Sequence, residues 1–319
     1  MRSLELYYEK PHTNWFLSHY FNNVANKLIN QHKDISFKVV NTGEYKNRDP
    51  NNISSPHILT IKNPDNEKYI LISFWDKNAI IFNKTIWQPE KMVQALTSSG
   101  INPGELAFLK LYNPHCIIPD NIYDVLTPFT YYPYCLNTAA TIEDLYATRQ
   151  TLNNLENKII FRGFMYNERE FLFNSFKNSD KFIFTNERIG YLEYLSEQIN
   201  NLCTLSINGA GEICNRDIEF FGMGMPVLRT ILNTQLHNEL KPDVHYISLG
   251  PCEFRSSYTH INYESYKKIL ISTFNKVIEQ KDFCLQVGAN ARKWYNENCT
   301  MDSMLCLTEK LLQLDRLFS

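Results

Sequence analysis

Residues 208–219 read Asn208-Gly-Ala-Gly-Glu-Ile-Cys-Asn-Arg216-Asp-Ile-Glu219. They follow an apolar run, Cys203–Ile207, and lead into a segment with helical spacing that begins near Cys214. A short apolar run, a glycine-bearing turn and a helix make up one βα unit of a parallel sheet, and such sheets bind ligands beyond the carboxyl ends of their strands. The two glycines let the backbone approach a ligand closely. The start of the helix offers unpaired N–H groups and the positive end of a dipole, which suits a diphosphate. Arg216 and Glu219 share a face of this helix. An arginine there can pair with phosphate oxygens, and a carboxylate there can accept hydrogen bonds from sugar or ribose hydroxyls. A Gly-x-Gly alone is a common structural feature, and Arg-x-x-Glu is more often a surface ion pair. The full Gly-x-Gly-x-x-Gly and the Walker loop are both absent, so a plain dinucleotide or ATP site lacks its fingerprint.

Outward from this stretch, the second half alternates apolar runs with amphipathic segments. The pattern predicts strands at Lys158–Phe161, Lys181–Thr185, Cys203–Ile207, Pro226–Arg229 and Tyr246–Leu249. Between them it predicts helices at Glu168–Phe176 and Tyr191–Asn200, one starting near Cys214, and a helical segment near Gln235–Leu240. That alternation implies a parallel sheet covered by helices on both faces. From Tyr263 to Phe318 the chain reads as helical.

The first half is less regular. Trp15–Gln31 reads as a helix and Ile35–Val40 as a strand, and Asn41–Ile53 is a polar loop. The apolar runs His57–Ile61 and Tyr69–Trp75 flank Asn63-Pro-Asp-Asn66, which predicts a hairpin. A helix is expected at Pro89–Ser99, strands at Phe108–Tyr112 and Val125–Tyr131, and a helix at Thr141–Leu155. The boundary between two α/β domains, 1–155 and 156–319, is placed at Leu155–Asn157.

The 319 residues, with 44% hydrophobic and 21% charged, give enough apolar surface for packed cores and exclude a disordered chain. A formal net charge of -2 supplies no general attraction to nucleic acid or to an anionic membrane, so neither is an expected partner. Glu5, Glu9 and Lys10 interrupt what a signal peptide would need, and no run reaches membrane-helix length, so a cytoplasmic location is expected. None of the eight cysteines forms a Cys-x-x-Cys pair, and they read as reduced, buried thiols.

The order Asn208-Gly-x-Gly-Glu, Arg216-x-x-Glu219, Gly222-Met-Gly224-Met-Pro226-Val-Leu228 resembles the donor-binding region of GT-B glycosyltransferases, and more narrowly the CAP10-like, protein O-glucosyltransferase-type family, with a looser likeness to exostosin-like transferases. Phe161-Arg-Gly163 with Arg169 resembles that family's opening of the second domain, and Leu240-Lys-Pro-Asp-Val-His245-Tyr246 its Leu-x-Pro-x-x-His-Tyr. Ala289-Asn-Ala-Arg292-Lys-Trp294 resembles the tail helices that return toward the first domain. The resemblance covers Lys158–Ser319 and little of the first half.

It implies a GT-B architecture of two Rossmann-like domains facing a cleft. The reaction implied is transfer of a sugar from a nucleoside diphosphate sugar to a hydroxyl on a glycan or protein. Arg162, Asn208, Gly209, Arg216 and Glu219 would hold the donor, with His245 lining the cleft or only capping a turn. An inverting reaction needs a base, for which Asp76 at the end of an apolar run is the first candidate, with Asp124 and His115 as alternatives. No Asp-x-Asp is present to hold a metal through donor phosphates, so neither a metal nor a cofactor beyond the donor is expected. Two other readings share the same fold: an epimerase- or hydrolase-type nucleotide-sugar enzyme, and a non-catalytic binding module.

Overall fold

Strand β1 (Arg2–Tyr8) buries Leu4, Leu6 and Tyr8 at period two, the mark of a strand with one face in a core. It belongs to a computed structural model that describes residues 2–8, 10–11, 16–41, 58–66, 68–73, 80–82, 85–87, 106–110, 126–128, 136–165, 168–207, 213–232, 236–251 and 263–319. The chain divides into two compact units. One comprises Met1–Leu136, Thr234–Glu239 and Asn298–Ser319; the other Asn137–Asn233 and Leu240–Glu297.

In the first unit, helix α1 (Phe16–Gln31) connects β1 to its parallel neighbour β2 (Ile35–Asn41). Phe16, Leu17, Tyr20, Phe21, Val24 and Leu28 form the buried stripe of α1. On its other side β1 pairs antiparallel with β3 (Ile58–Lys62), which returns as a hairpin into β4 (Tyr69–Ser73). The Asn63 N–H closes this hairpin on the Lys68 carbonyl at 2.9 Å. A separate two-stranded ribbon, β5 (Ile80–Phe82) with β6 (Thr85–Trp87), precedes β7 (Leu106–Lys110) and β8 (Leu126–Pro128). The sheet order is β2-β1-β3-β4-β7-β8, and β4, β7 and β8 are parallel. The unit is therefore α/β, but its sheet is mixed, because β3 runs against both neighbours where a Rossmann-like sheet is parallel throughout. The helix expected at Pro89–Ser99 lies outside the described residues.

The second unit opens with α2 (Leu136–Gln150). The expected helix at Thr141–Leu155 is thus present but begins and ends earlier, and the contact division falls at its start, whereas the sequence boundary lies beyond its end. Strands β9 (Ile159–Arg162) and β10 (Phe182–Thr185) are parallel and joined through α3 (Glu168–Ser175). Helix α4 (Tyr191–Ile199) then leads to β11 (Thr204–Leu205), and α5 (Asn215–Gly222) leads to β12 (Val227–Ile231). Strand β13 (Ile247–Pro251) completes a parallel ladder with β11 and β12. A parallel bridge between Glu156 and Asn201 sets β11 beside β9. The hydrogen-bonded ladders are β10-β9 and β11-β12-β13, and the bridge aligns them in the spatial order β10-β9-β11-β12-β13, so the chain reverses its direction of winding between β9 and β11.

Phe161, Leu172, Phe176, Phe182 and Phe274 lie in the core under this sheet, with the Phe176 and Phe182 rings stacked at 4.5 Å. Three helices follow: α6 (Tyr263–Glu279), α7 (Lys281–Asn298) and α8 (Met301–Leu311). Helix α8 packs on α1 within the first unit, where the Tyr20 hydroxyl meets that of Thr308. The helical segment expected near Gln235–Leu240 is not formed: residues 236–240 are irregular. Among the described residues no helix is long and apolar enough to cross a membrane.

The Gly222–Pro226 stretch has a packing explanation. Gly224 (φ 65°) ends α5, with its N–H on the Phe221 carbonyl and that of Met225 on Phe220. A Cβ on Gly288 of α7 would stand 2.5 Å from the Gly224 carbonyl oxygen, so the helix and the turn meet backbone to backbone.

Candidate functional site

A parallel sheet presents its ligand crevice at the carboxyl edge, where the winding reverses. In the second unit that edge carries Arg162-Gly163 at the end of β9, Asn186 to Arg188 after β10, and Ile207 after β11. A cavity of about 300 Å³ lies there, a volume at the lower bound for small-molecule sites. Its charged lining is Arg162, Glu187, Arg188 and Arg216, and its aromatic lining is Phe164, Tyr191 and Tyr194. Three arginines against one glutamate make the lining cationic. Phe164 is 68% exposed at the rim, with the Arg188 guanidinium 5.2 Å from its ring centre.

Arg216 is delivered by the first turn of α5. The N-cap of that helix is Cys214, whose N–H donates to Asp217 Oδ2 at 2.9 Å, while Arg229 of β12 contacts Asp217 Oδ1 at 2.8 Å. Asp217 and Arg229 are both fully buried, so the start of α5 is fixed to the sheet by an ion pair shielded from water. Burial, with Asp217 adding to it, pushes the Cys214 thiol up to about 11, which leaves it protonated and a poor nucleophile.

From this anchored turn the Arg216 guanidinium lies over the Phe161 ring at 4.2 Å. Its Nε donates to the Tyr194 hydroxyl at 3.0 Å and its Nη2 to the Arg162 carbonyl. Its Nη1 is buried and has no hydrogen-bond partner. Gly163 fits this packing, because a Cβ there would come within 3.3 Å of Nη2. Arg169 lies 5.3 Å from the centre of the same Phe161 ring and donates to the Ile207 carbonyl at 2.9 Å.

Arg162 lines the same cavity in a different state. Its Nε and Nη2 grip Glu197 of α4 at 2.6 and 2.8 Å, and its Nη1 is 3.5 Å from Glu187. The Glu197 hydrogen bonds, working against partial burial, hold its pKa above the ordinary value. Arg162 is thus charge-compensated within the wall, whereas Arg216 keeps an N–H unspent.

Glu219 stands one turn beyond Arg216 on α5. It is only 4% exposed, is not part of the cavity lining, and accepts a hydrogen bond from the Tyr191 hydroxyl. Burial pushes its carboxyl up to about 7, against the opposing pull of Tyr191 and Arg216. Burial likewise raises the pKa of Tyr191 and Tyr194 far above the ordinary phenol value. Tyr191 and Tyr194 are three apart on α4, and Arg216 and Glu219 three apart on α5, so the two helices meet in two polar rungs: Tyr191 with Glu219, and Tyr194 with Arg216.

The structure therefore brings Arg162, Arg216 and Glu219 of the sequence candidates into one region. His245 is not brought there. It precedes β13, at the amino end of a parallel strand and hence on the opposite edge of the sheet, and its Nδ1 accepts the Lys241 N–H at 2.9 Å to close a turn. Burial and the neighbouring Lys241 lower its pKa, as suits an acceptor nitrogen. Asn208, Gly209, Asp76, Asp124 and His115 lie outside the described residues. Tyr191, Tyr194 and Arg188 are cavity residues that the sequence reading did not single out; the i, i+3 tyrosine pair on a predicted helix was the available signal. The five described cysteines, Cys203, Cys214, Cys284, Cys299 and Cys306, are free thiols. No protein-family model matches the chain, and no curated protein matches its sequence.

Proposed function

We propose that the second unit seats the diphosphate of a nucleoside diphosphate sugar and that the chain is a glycosyltransferase acting on a hydroxyl acceptor. The observation that carries this reading is the unpartnered, buried Nη1 of Arg216 at a cationic crevice on the carboxyl edge of a parallel sheet. A buried N–H without a partner is costly, by about 1–3 kcal/mol, and an anionic oxygen is the acceptor that relieves it best. The exposed Phe164 and the tyrosines offer flat faces for a base or a sugar ring. The order of motifs that resembles the GT-B donor region supports the same reading.

In the transfer, the sugar–phosphate bond breaks and negative charge accumulates on the departing diphosphate. Arg216, fixed before the ligand arrives, stabilises that charge without reorganising. The acceptor hydroxyl loses its proton to a base, for which Asp76 is the first candidate and Asp124 and His115 the alternatives.

The test is a thermal-shift panel of nucleoside diphosphate sugars on wild type and Arg216→Met, followed by transfer assays with the sugars that bind. At least one donor raises the melting temperature of wild type and leaves that of Arg216→Met unchanged. If every donor that binds does so equally well in Arg216→Met, the site assignment is wrong. If donors bind but are only hydrolysed or isomerised, with no acceptor used, the transferase reading is wrong and the site stands.

A further inference from the structure

Glu219 is a buried carboxyl group placed one helical turn from Arg216, whose Nη1 alone lacks a hydrogen-bond partner. It is linked to the cavity through Tyr191, whose hydroxyl donates to Glu219 Oε1 while its ring lines the cavity wall. On the neighbouring rung, the Tyr194 ring lines the same wall and its hydroxyl accepts from Arg216 Nε. The two tyrosine rings are 6.4 Å apart. No fixed ion pair joins Glu219 to Arg216, and Arg216 Nη1 is without a hydrogen-bond partner. Burial disfavours the ionised form of Glu219, while the Tyr191 hydrogen bond and the Arg216 charge favour it, so an anion seated on Arg216 would remove the cationic support for a charged Glu219.

We propose that Glu219 competes with the anionic ligand for the charge of Arg216, so that an anion seated on Arg216 is bound together with a proton taken from solvent onto the Glu219 carboxyl. Glu219 is on this account a positioning and charge-setting residue rather than a group that touches the ligand. Among the described residues, the groups that face it come from three helices and one strand. From α4 they are Tyr191 and Tyr194; from its own helix, Arg216 and Asp217. Asp217 is held by Arg229 of β12 at 2.8 Å, and Thr138 of α2 hydrogen-bonds Tyr191. Tyr191 and Tyr194 stay protonated across neutral pH, which leaves Glu219 as the group in this cluster that titrates there. Two like charges in a low-dielectric site disfavour one another strongly, so the ligand's charge and that of Glu219 exclude each other.

The inference rests on the part of the proposed function that seats an anion on Arg216, and it holds whether or not that anion belongs to a nucleotide. The experiment is calorimetric titration of the full chain with sulfate, which remains a dianion from pH 6 to pH 8, in buffers of different ionisation enthalpy. Wild type is expected to bind sulfate about tenfold more weakly at pH 8 than at pH 6, with about half a proton taken up per sulfate at pH 7. Glu219→Gln, which keeps an acceptor for Tyr191, is expected to bind with no pH dependence and no proton uptake. Tyr191→Phe removes a hydrogen bond that favours the charged carboxylate, so it should move the fall in affinity to higher pH without abolishing it.

A flat wild-type profile, absence of proton uptake, or an unchanged slope in Glu219→Gln overturns the proposal. The buffer-dependent heat of wild type alone decides the point should Glu219→Gln fail to fold. A parallel titration with uridine diphosphate glucose, whose phosphates do not titrate in this range, separates the two claims. Proton-linked sulfate binding without binding of any nucleotide sugar keeps this inference and removes the nucleotide reading. Nucleotide-sugar binding that is independent of pH does the reverse, and failure of both ligands to bind removes both.

Discussion

Two arginines flank helix α4, and they are used in opposite ways. Arg149 lies at the carboxyl end of the helix and donates to the carbonyls of Ile199, Asn201 and Leu202, the last two at 2.8 and 3.1 Å. These acceptors are left over where α4 ends, and a cation there also meets the negative end of the helix dipole. Burial lowers the Arg149 pKa to about 10, and the three carbonyls hold the charged form in place. Arg216, against the amino-terminal half of the same helix, spends Nε and Nη2 on Tyr194 and the Arg162 carbonyl and leaves Nη1 bare. The difference teaches that burial alone does not identify a functional cation. What matters is whether the main chain has already claimed its N–H groups.

The largest expected effect breaks the structural half of this comparison. Arg149→Met leaves three buried carbonyls without a donor and should lower unfolding free energy by about 3–5 kcal/mol, read from urea titrations. Arg216→Met loses two hydrogen bonds but also removes an unsatisfied buried N–H, so its stability loss should stay at about 1 kcal/mol while sulfate binding disappears. Equal stability losses in the two variants would erase the distinction drawn between them.

The next effect concerns the carboxylate beside Arg216. The Glu219 carboxyl is raised to about 7 in the folded chain, against an ordinary value near 4.5, so the folded state keeps a proton that the unfolded state has lost. Stability linked to this group is therefore full below about pH 4.5 and is lost as pH rises through 7, by about 3 kcal/mol in all. Glu219→Gln should be neutral near pH 4.5 and stabilising by up to about 3 kcal/mol at pH 8, measured by denaturant unfolding at both values. A variant that is destabilised equally at both would show that the carboxylate is a plain structural acceptor.

The second unit was largely legible because its strands are short apolar runs, with β11 and the start of β12 buried on both faces and β9, β10 and β13 buried at alternate residues, separated by helical segments. The spacing of Arg216 and Glu219 placed both on one helix face, and the structure places both beside α4. Spacing could not tell that Glu219 sits behind Tyr191 rather than in the cavity, nor that Arg162 is gripped by Glu197, because partner choice depends on which helix packs against which. His245 was left between two roles for the same reason, and it takes the turn-closing one: its place in a motif carries no information on which edge of the sheet it occupies. In the first unit, the alternation of Leu4, Leu6 and Tyr8 is the signal of β1, but Glu5 and Tyr7 between them and the short length of the run make it weak without its partners β2 and β3. The hairpin at Asn63–Asn66 was legible from turn chemistry, and it is the feature that makes the sheet mixed.

Behind α5 the packing is tight enough to test with a single methyl group. Gly288→Ala places a Cβ 2.5 Å from the Gly224 carbonyl oxygen and 3.0 Å from Pro226 Cδ, where the obstacle is main chain and ring rather than a flexible side chain. Helix α7 must shift, at about 1–3 kcal/mol. Because Gly224 ends the helix that carries Arg216 and Glu219, a shift transmitted along α5 would also weaken sulfate binding. Lost stability with unchanged affinity would show that the first turn of α5 is fixed by Asp217 and Arg229 alone.

The smallest effect separates the two carboxylates that hold Arg162. Glu197 forms a two-pronged contact and is mostly shielded, whereas the Glu187 side chain is 73% exposed and its contact is 3.5 Å long. Glu187→Gln should change stability by no more than about 0.5 kcal/mol. Glu187 nevertheless lines the cavity, so removing its charge should strengthen sulfate binding by about two- to threefold at low salt. Raising the ionic strength should abolish that gain, since exposed charges are screened over about 10 Å or less at 0.1 M salt. A gain that survives high salt would instead mean that Glu187 holds Arg162 away from the anion, and that Arg162 joins Arg216 as a ligand once released.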